Sequence, residues 1–176
     1  MVNCVCVVEK TGWDVEAWTH PGSVSELAAD FAGWHQDIQQ LIAAAVPDSL
    51  FKWALFDRAP MAQWGKGRVS LLGDACHPML PFMAQGSAMA IEDGAILAVC
   101  LAKRMGAAGD MASALQRYED IRKPRTKFVQ NLSRRNARVF HLRGAAGFVR
   151  NQIAPWAGQQ AMDRLYAYDA LTPSGD

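Results

Sequence analysis

Gly73-Asp-Ala-Cys-His-Pro-Met-Leu-Pro-Phe-Met-Ala-Gln-Gly86 is the stretch on which the fold turns. A short apolar run, Arg68-Val-Ser-Leu-Leu72, precedes it and reads as a buried strand. Residues 87–104 follow. They carry charges only at 92, 93, 103 and 104 and read as a helix buried nearly all round. Between strand and helix lies a Gly- and Pro-rich segment with one carboxylate at its start. Such a segment can hold a polar ligand without any catalytic side chain. Asp74 can accept hydrogen bonds from hydroxyls. Gly86 has no Cβ, so backbone can approach closely there. The free N–H groups that open the helix favour a carbonyl or an anion.

Outward from this loop, the pattern predicts an α+β chain. Val2-Asn-Cys-Val-Cys-Val-Val8 is apolar on both alternating faces and predicts an interior strand. Residues 19–23 predict a turn. Ser23-Val-Ser-Glu26 predicts a capping box, and Leu27, Phe31, Trp34, Ile38 and Leu41 continue as a helical stripe that Gly33 divides. Phe51–Asp57 is a candidate strand ended by Arg58-Ala-Pro60. Residues 106–109 read as a loop. Residues 111–143 read as a long helix that Pro124 should bend or interrupt. A last helix is expected over 145–168, around Pro155, with a loose tail at 171–176.

The loop resembles the second flavin-contact motif of the FAD-dependent aromatic hydroxylases, the group of p-hydroxybenzoate hydroxylase. Pro81-Phe-Met-Ala-Gln-Gly86 is most similar to the salicylate hydroxylase and 6-hydroxynicotinate monooxygenase branch. Trp53-Ala-Leu-Phe-Asp-Arg58 upstream and Arg117-Tyr-Glu with Arg122-Lys-Pro-Arg125 downstream fit the same branch. The resemblance covers roughly residues 1–140. It implies part of a substrate-domain sheet and its helix over 1–60. The flavin-contact strand, loop and helix would occupy 61–105, and a helical region 106–176. The family opens with a Rossmann unit bearing G-x-G-x-x-G, which holds the FAD pyrophosphate; these 176 residues contain no such motif. The expectation is therefore a C-terminal, truncated portion, incomplete and inactive alone, that holds FAD weakly or not at all.

By resemblance, Asp74 bonds the ribityl chain of FAD after Gly73. Pro81 lies at the reactive flavin edge and acts through shape and its backbone carbonyl. Gln85, Gly86 and Ser87 present N–H groups to the flavin. Each has a structural alternative: Asp74 as a turn former, Pro81 as a loop proline, Gln85–Ser87 as a helix cap. His77 either shuttles a substrate proton or orders the loop. Ala84, where some hydroxylases have Gly, requires a negative φ. The implied reaction takes NAD(P)H as reductant, FAD as cofactor and dioxygen, and hydroxylates a small aromatic acid or N-heterocycle. The alternatives are another flavoprotein oxidoreductase of the same fold, or a non-catalytic paralogue acting as a partner-binding module.

Composition excludes little and suggests no polyanionic partner. The chain is 51% hydrophobic and 20% charged with a net charge of +1, an ordinary globular balance with no global field for nucleic acid or membrane. Nine of the 18 Lys and Arg residues fall between Arg117 and Arg143; their spacing predicts a solvated helical face. Glu92 and Asp93, adjacent in an apolar helix, need a partner, and an Arg is the natural one. Cysteines 4, 6, 76 and 100 have no metal-site or disulfide spacing, so free thiols in a cytoplasmic protein are expected, with no metal. No stretch approaches the ~18 apolar residues of a membrane span. The doubly apolar Val2–Val8 predicts self-association or pairing with an N-terminal half.

Overall fold

The computed structural model describes residues 2–13, 15, 17–105 and 110–170. The predicted loop at 106–109 and tail at 171–176 lie outside them. The chain divides into two compact units, Met1–Leu55 and Phe56–Asp176.

In the first unit, β1 (His20–Pro21) pairs antiparallel with β2 (Phe51–Lys52), His20 opposite Lys52. The expected turn at 19–23 is thus partly strand, and the expected strand 51–57 is only its first two residues. Pro21 has no N–H to extend a ladder, which keeps the ribbon short. Helix α1 (Val24–Asp30) starts where predicted: Ser23 Oγ accepts from the Glu26 N–H at 3.4 Å. The reciprocal half of the capping box does not form. The Glu26 carboxylate instead takes Lys10 at 3.1 Å and Lys52 at 2.7 Å. Gly33, at φ 81°, separates α1 from α2 (Gln36–Ala43), as its freedom at positive φ allows. Phe31 and Ile42 are buried; Trp34 and Leu41, on the predicted stripe, are exposed.

Val2–Val8 is not a strand. Val2 and Val5 are exposed. An interior strand needs a hydrogen-bonded neighbour and apolar cover on each face, and the described residues supply neither.

The second unit opens on a tight ribbon, β3 (Gly65–Lys66) against β4 (Val69–Ser70). Gly65 is obligatory in it, because a Cβ there would fall 2.2 Å from the Val69 carbonyl oxygen. Only two residues of Arg68–Leu72 are strand, and Val69 and Leu72 are exposed, not buried as their apolarity predicts. A two-stranded ribbon covers one face at most. Leu71 alone turns inward: its N–H donates to the Trp64 carbonyl, and its own carbonyl accepts from Tyr118 Oη at 3.2 Å.

Helices make the rest: α3 (Gly86–Met105), α4 (Met111–Phe140), α5 (Gly144–Ala157) and α6 (Gln159–Tyr166). The predicted last helix is thus two. Helix α3 packs along α4 around two apolar clusters. Trp64, Cys76, Ile96, Cys100 and Tyr118 form one, and Met89, Val129 and Leu165 the other. Helix α3 is not buried all round, since Ile91 faces solvent. Pro124 lies inside α4 without ending it. The turns flanking it are held by Arg122 and Arg125, both bonded to groups on α3. No helix among the described residues is long and apolar enough to cross a membrane.

Candidate flavin-contact site

The loop between β4 and α3 is two 3-10 turns, Gly73–Ala75 and Pro81–Met83, joined by an extended arc. Gly73 has φ 59°, and its carbonyl accepts the N–H groups of Cys76 and His77, both at 3.0 Å. That closes the first turn and leaves Asp74 on its outside, exposed. Among the described residues nothing hydrogen-bonds or ion-pairs with the Asp74 carboxylate. Its Oδ1 lies 3.9 Å from where a Cβ on Gly86 would sit, so it stands beside the opening turn of α3. Pro81, Ala84 and Ser87 are exposed, and Gln85 and Gly86 half-buried. An unpartnered acceptor therefore adjoins the free N–H groups of a long helix. That pairing suits a ligand bearing hydroxyls and a carbonyl.

Beneath this surface is a buried charged cluster. Asp93, from α3, is fully buried. Its Oδ2 accepts from the Gly73 N–H at 2.9 Å and lies 2.6 Å from His77 Nε2, and its Oδ1 accepts from Arg122 Nε at 2.7 Å. Burial opposes the charge on Asp93. The bonds from His77, Arg122 and the Gly73 N–H outweigh it and hold the carboxyl below its usual range. Arg122, also fully buried, reaches Glu92 at 2.7 Å and the Met89 carbonyl; Arg125 takes Glu92 at 3.0 Å and the Leu165 carbonyl at 2.9 Å. Arg partners for Glu92 and Asp93 are thus as predicted. The basic face is solvated in part: Arg117, Lys127, Arg135, Arg138 and Arg143 are exposed, whereas Arg122 and Arg125 point inward to those carboxylates.

His77 is 1% exposed, with Nε2 on Asp93 and its ring 5.3 Å from that of Trp64. Its Nδ1 is buried without a partner among the described residues. His77 thus ties the loop to α3 through Asp93. Cys76 is buried, donates to the Gly73 carbonyl, and has its thiol pushed up to about 12 by burial and by the Asp93 charge, which disarms it as a nucleophile. Cys76, His77 and Asp93 place potential ligand atoms within 4.8 Å of one another. Both Asp93 oxygens are already engaged, one by a guanidinium, and that works against a cation.

The arc itself is held by polar side chains of α4 that the sequence reading missed. Gln130 donates to the Pro78 carbonyl at 2.9 Å, Ser133 to the Leu80 carbonyl, and Asn136 to Met83 Sδ at 2.7 Å. Their three-residue spacing puts them on one face of α4, and that spacing was the available signal.

Ala84 departs from expectation. It sits at φ 51°, ψ 36°, in the left-handed region, where it closes the Pro81–Met83 turn before α3. The turn needs that conformation to reverse the chain, and an alanine there costs about 1–2 kcal/mol. Ala84→Gly is expected to raise stability by about 1 kcal/mol, read from the urea midpoint at unchanged slope.

The profile of the family described as FAD binding domain matches residues 7–133. The chain belongs to the FAD binding domain family. The 3-amino-4-hydroxybenzoate 2-monooxygenase of Streptomyces platensis is 44% identical over 143 residues, covering 81% of this chain and 35% of that protein. The 6-hydroxynicotinate 3-monooxygenase of Pseudomonas fluorescens is 49% identical over 130 residues, covering 73% and 32%. Among solved structures, a salicylate hydroxylase substrate complex superposes with TM-score 0.72 at 26% identity, covering 93% of this chain and 39% of that one. Klebsiella pneumoniae HpxO complexed with FAD and uric acid gives 0.68 at 27%, covering 81% and 36%. This FAD binding domain chain spans about a third of the length of the relatives it matches, and its fold is that part of a flavin-dependent hydroxylase.

Proposed function

We propose that the loop Gly73–Ser87 is the flavin-contact element of an FAD-dependent monooxygenase. The enzyme would hydroxylate a small aromatic acid or N-heterocycle, with a reduced nicotinamide as electron donor, in the cytoplasm. The carrying observation is the exposed Asp74 carboxylate, unpartnered among the described residues, beside the first turn of α3. In this reading Asp74 accepts two ribityl hydroxyl protons. The N–H groups of Gln85, Gly86 and Ser87 face a flavin carbonyl, where a helix N-terminus favours developing negative charge. Pro81, stiff and without an N–H, shapes the edge beside the flavin and offers its carbonyl. Bound FAD would supply the electron transfer and the activation of dioxygen. The chain's own contribution is to fix the ring's position and help keep water from it. The monooxygenase relatives, named for hydroxynicotinate and aminohydroxybenzoate, support the substrate class. An activated, electron-rich ring is what that chemistry requires.

Titrating FMN into the isotopically labelled chain tests the reading, because amide shifts register weak binding. FAD itself is expected to bind this chain more weakly than micromolar, since no G-x-G-x-x-G is present. The FMN shifts should concentrate at Gly73, Asp74 and Gln85–Ser87. Shifts gathered elsewhere, or none at millimolar FMN, would refute the assignment.

A further inference from the structure

Asp74 makes no bond of its own among the described residues, so its direction must be set by what holds the backbone on either side of it. One side chain does this at both ends. Asp93 Oδ2 accepts from the Gly73 N–H at 2.9 Å and meets His77 Nε2 at 2.6 Å. Gly73 and His77 are the first and fifth residues of the turn on which Asp74 is second. The same turn is closed internally by the Gly73 carbonyl. Arg122 occupies the other carboxylate oxygen and so fixes which oxygen faces the loop. We infer that Asp93 is a positioning residue that presents Asp74 to the ribityl hydroxyls, an inference that rests on the flavin reading above.

A carboxylate suits this task better than an amide. One oxygen of a carboxylate can accept two donors at once, and each bond is charge-assisted. An asparagine offers one oxygen and must point its NH₂ at either Arg122 or the Gly73 N–H. Burial makes the difference large, because neither displaced donor can turn to water. Trp64, packed on His77, and Tyr118, whose hydroxyl bonds the Leu71 carbonyl, close off solvent from that side.

The test combines amide exchange with FMN titration on the 176-residue chain. Asp93→Asn is expected to speed hydrogen exchange at Gly73–His77 about tenfold while the centres of α3 and α4 stay protected. It should weaken FMN about tenfold, and make no further difference in an Asp74→Ala background, since it acts through Asp74. Unchanged exchange at Gly73–His77, or FMN affinity equal to the parent's, would overturn the inference. Where the parent shows no FMN shifts, or Asp74→Ala binds FMN as the parent does, the flavin reading falls instead. The exchange result then still decides whether Asp93 holds the turn. If Asp93→Asn loses its helical signal, the pair His77→Ala and His77→Gln replaces it. Gln keeps an N–H donor for Asp93 and should restore the slow exchange at Gly73 that Ala loses. Equal exchange in the two variants would count against the proposal.

Discussion

Arg122→Met should lower the unfolding free energy by about 3–5 kcal/mol, the cost of breaking a buried ion pair from one side. Arg122 is fully buried and bonds Asp93, Glu92 and the Met89 carbonyl. Methionine fills much of the volume, so the loss reports the abandoned carboxylates and not a cavity. Among the described residues, fully buried Asp93 would lose its guanidinium partner and keep the Gly73 N–H and His77; Glu92, partly exposed, would keep Arg125. The pH dependence identifies the cause. In the parent, the Asp93 carboxyl is held below its ordinary value, so the stability it contributes is complete above the usual carboxylate range. That stability is lost as pH falls through and below the range. In the variant this depression is relieved, and less stability remains to be lost in acid. The gap between parent and variant should thus be widest near neutrality and narrow as pH falls toward 3. Urea melts at a series of pH values check both the size and the trend. A gap that is the same at every pH would mean the damage is packing and not charge.

How far the sequence was legible follows from which forces act locally. The loop, the cap at Ser23, the break at Gly33 and the two long helices rest on turn chemistry and on 3.6-residue periodicity, which a short window displays. The need of Glu92 and Asp93 for arginine partners was also legible, because a charge in an apolar helix states its own cost. Val2–Val8 and Val69–Leu72 were misread for one shared reason: apolarity says that a segment can be buried but not what covers it. Strands take their partners from afar, and the described residues offer only two-residue pairings. Ala84 failed differently. A residue's type biases φ without fixing it, and the turn before α3 imposes the left-handed conformation. Gln130, Ser133 and Asn136 were missed because polar residues on a long helix normally face water. The loop folded against α4 gives Gln130 and Ser133 carbonyls to bond and Asn136 the Met83 sulfur.

Asp74→Ala should weaken flavin binding by roughly ten- to 150-fold, because hydrogen bonds to a charged group are worth about 1.5–3 kcal/mol. The fold should be untouched. Asp74 is exposed, packs against nothing in the two apolar clusters, and gives up no bond within the described residues when it is removed. The urea midpoint of the variant should therefore coincide with the parent's. That separation of binding from stability distinguishes a ligand-facing carboxylate from a turn former, since a turn-forming aspartate would cost stability when truncated. Asp74→Asn supplies the intermediate case. Its amide oxygen still accepts one hydroxyl but carries no charge, so its affinity should fall between those of the parent and Asp74→Ala. Amide-shift titration with FMN orders the three proteins. A parent that saturates while Asp74→Ala stays unsaturated over the same range meets the expectation. If the three bind alike, Asp74 is a surface residue of the turn and the flavin-contact reading of the loop falls.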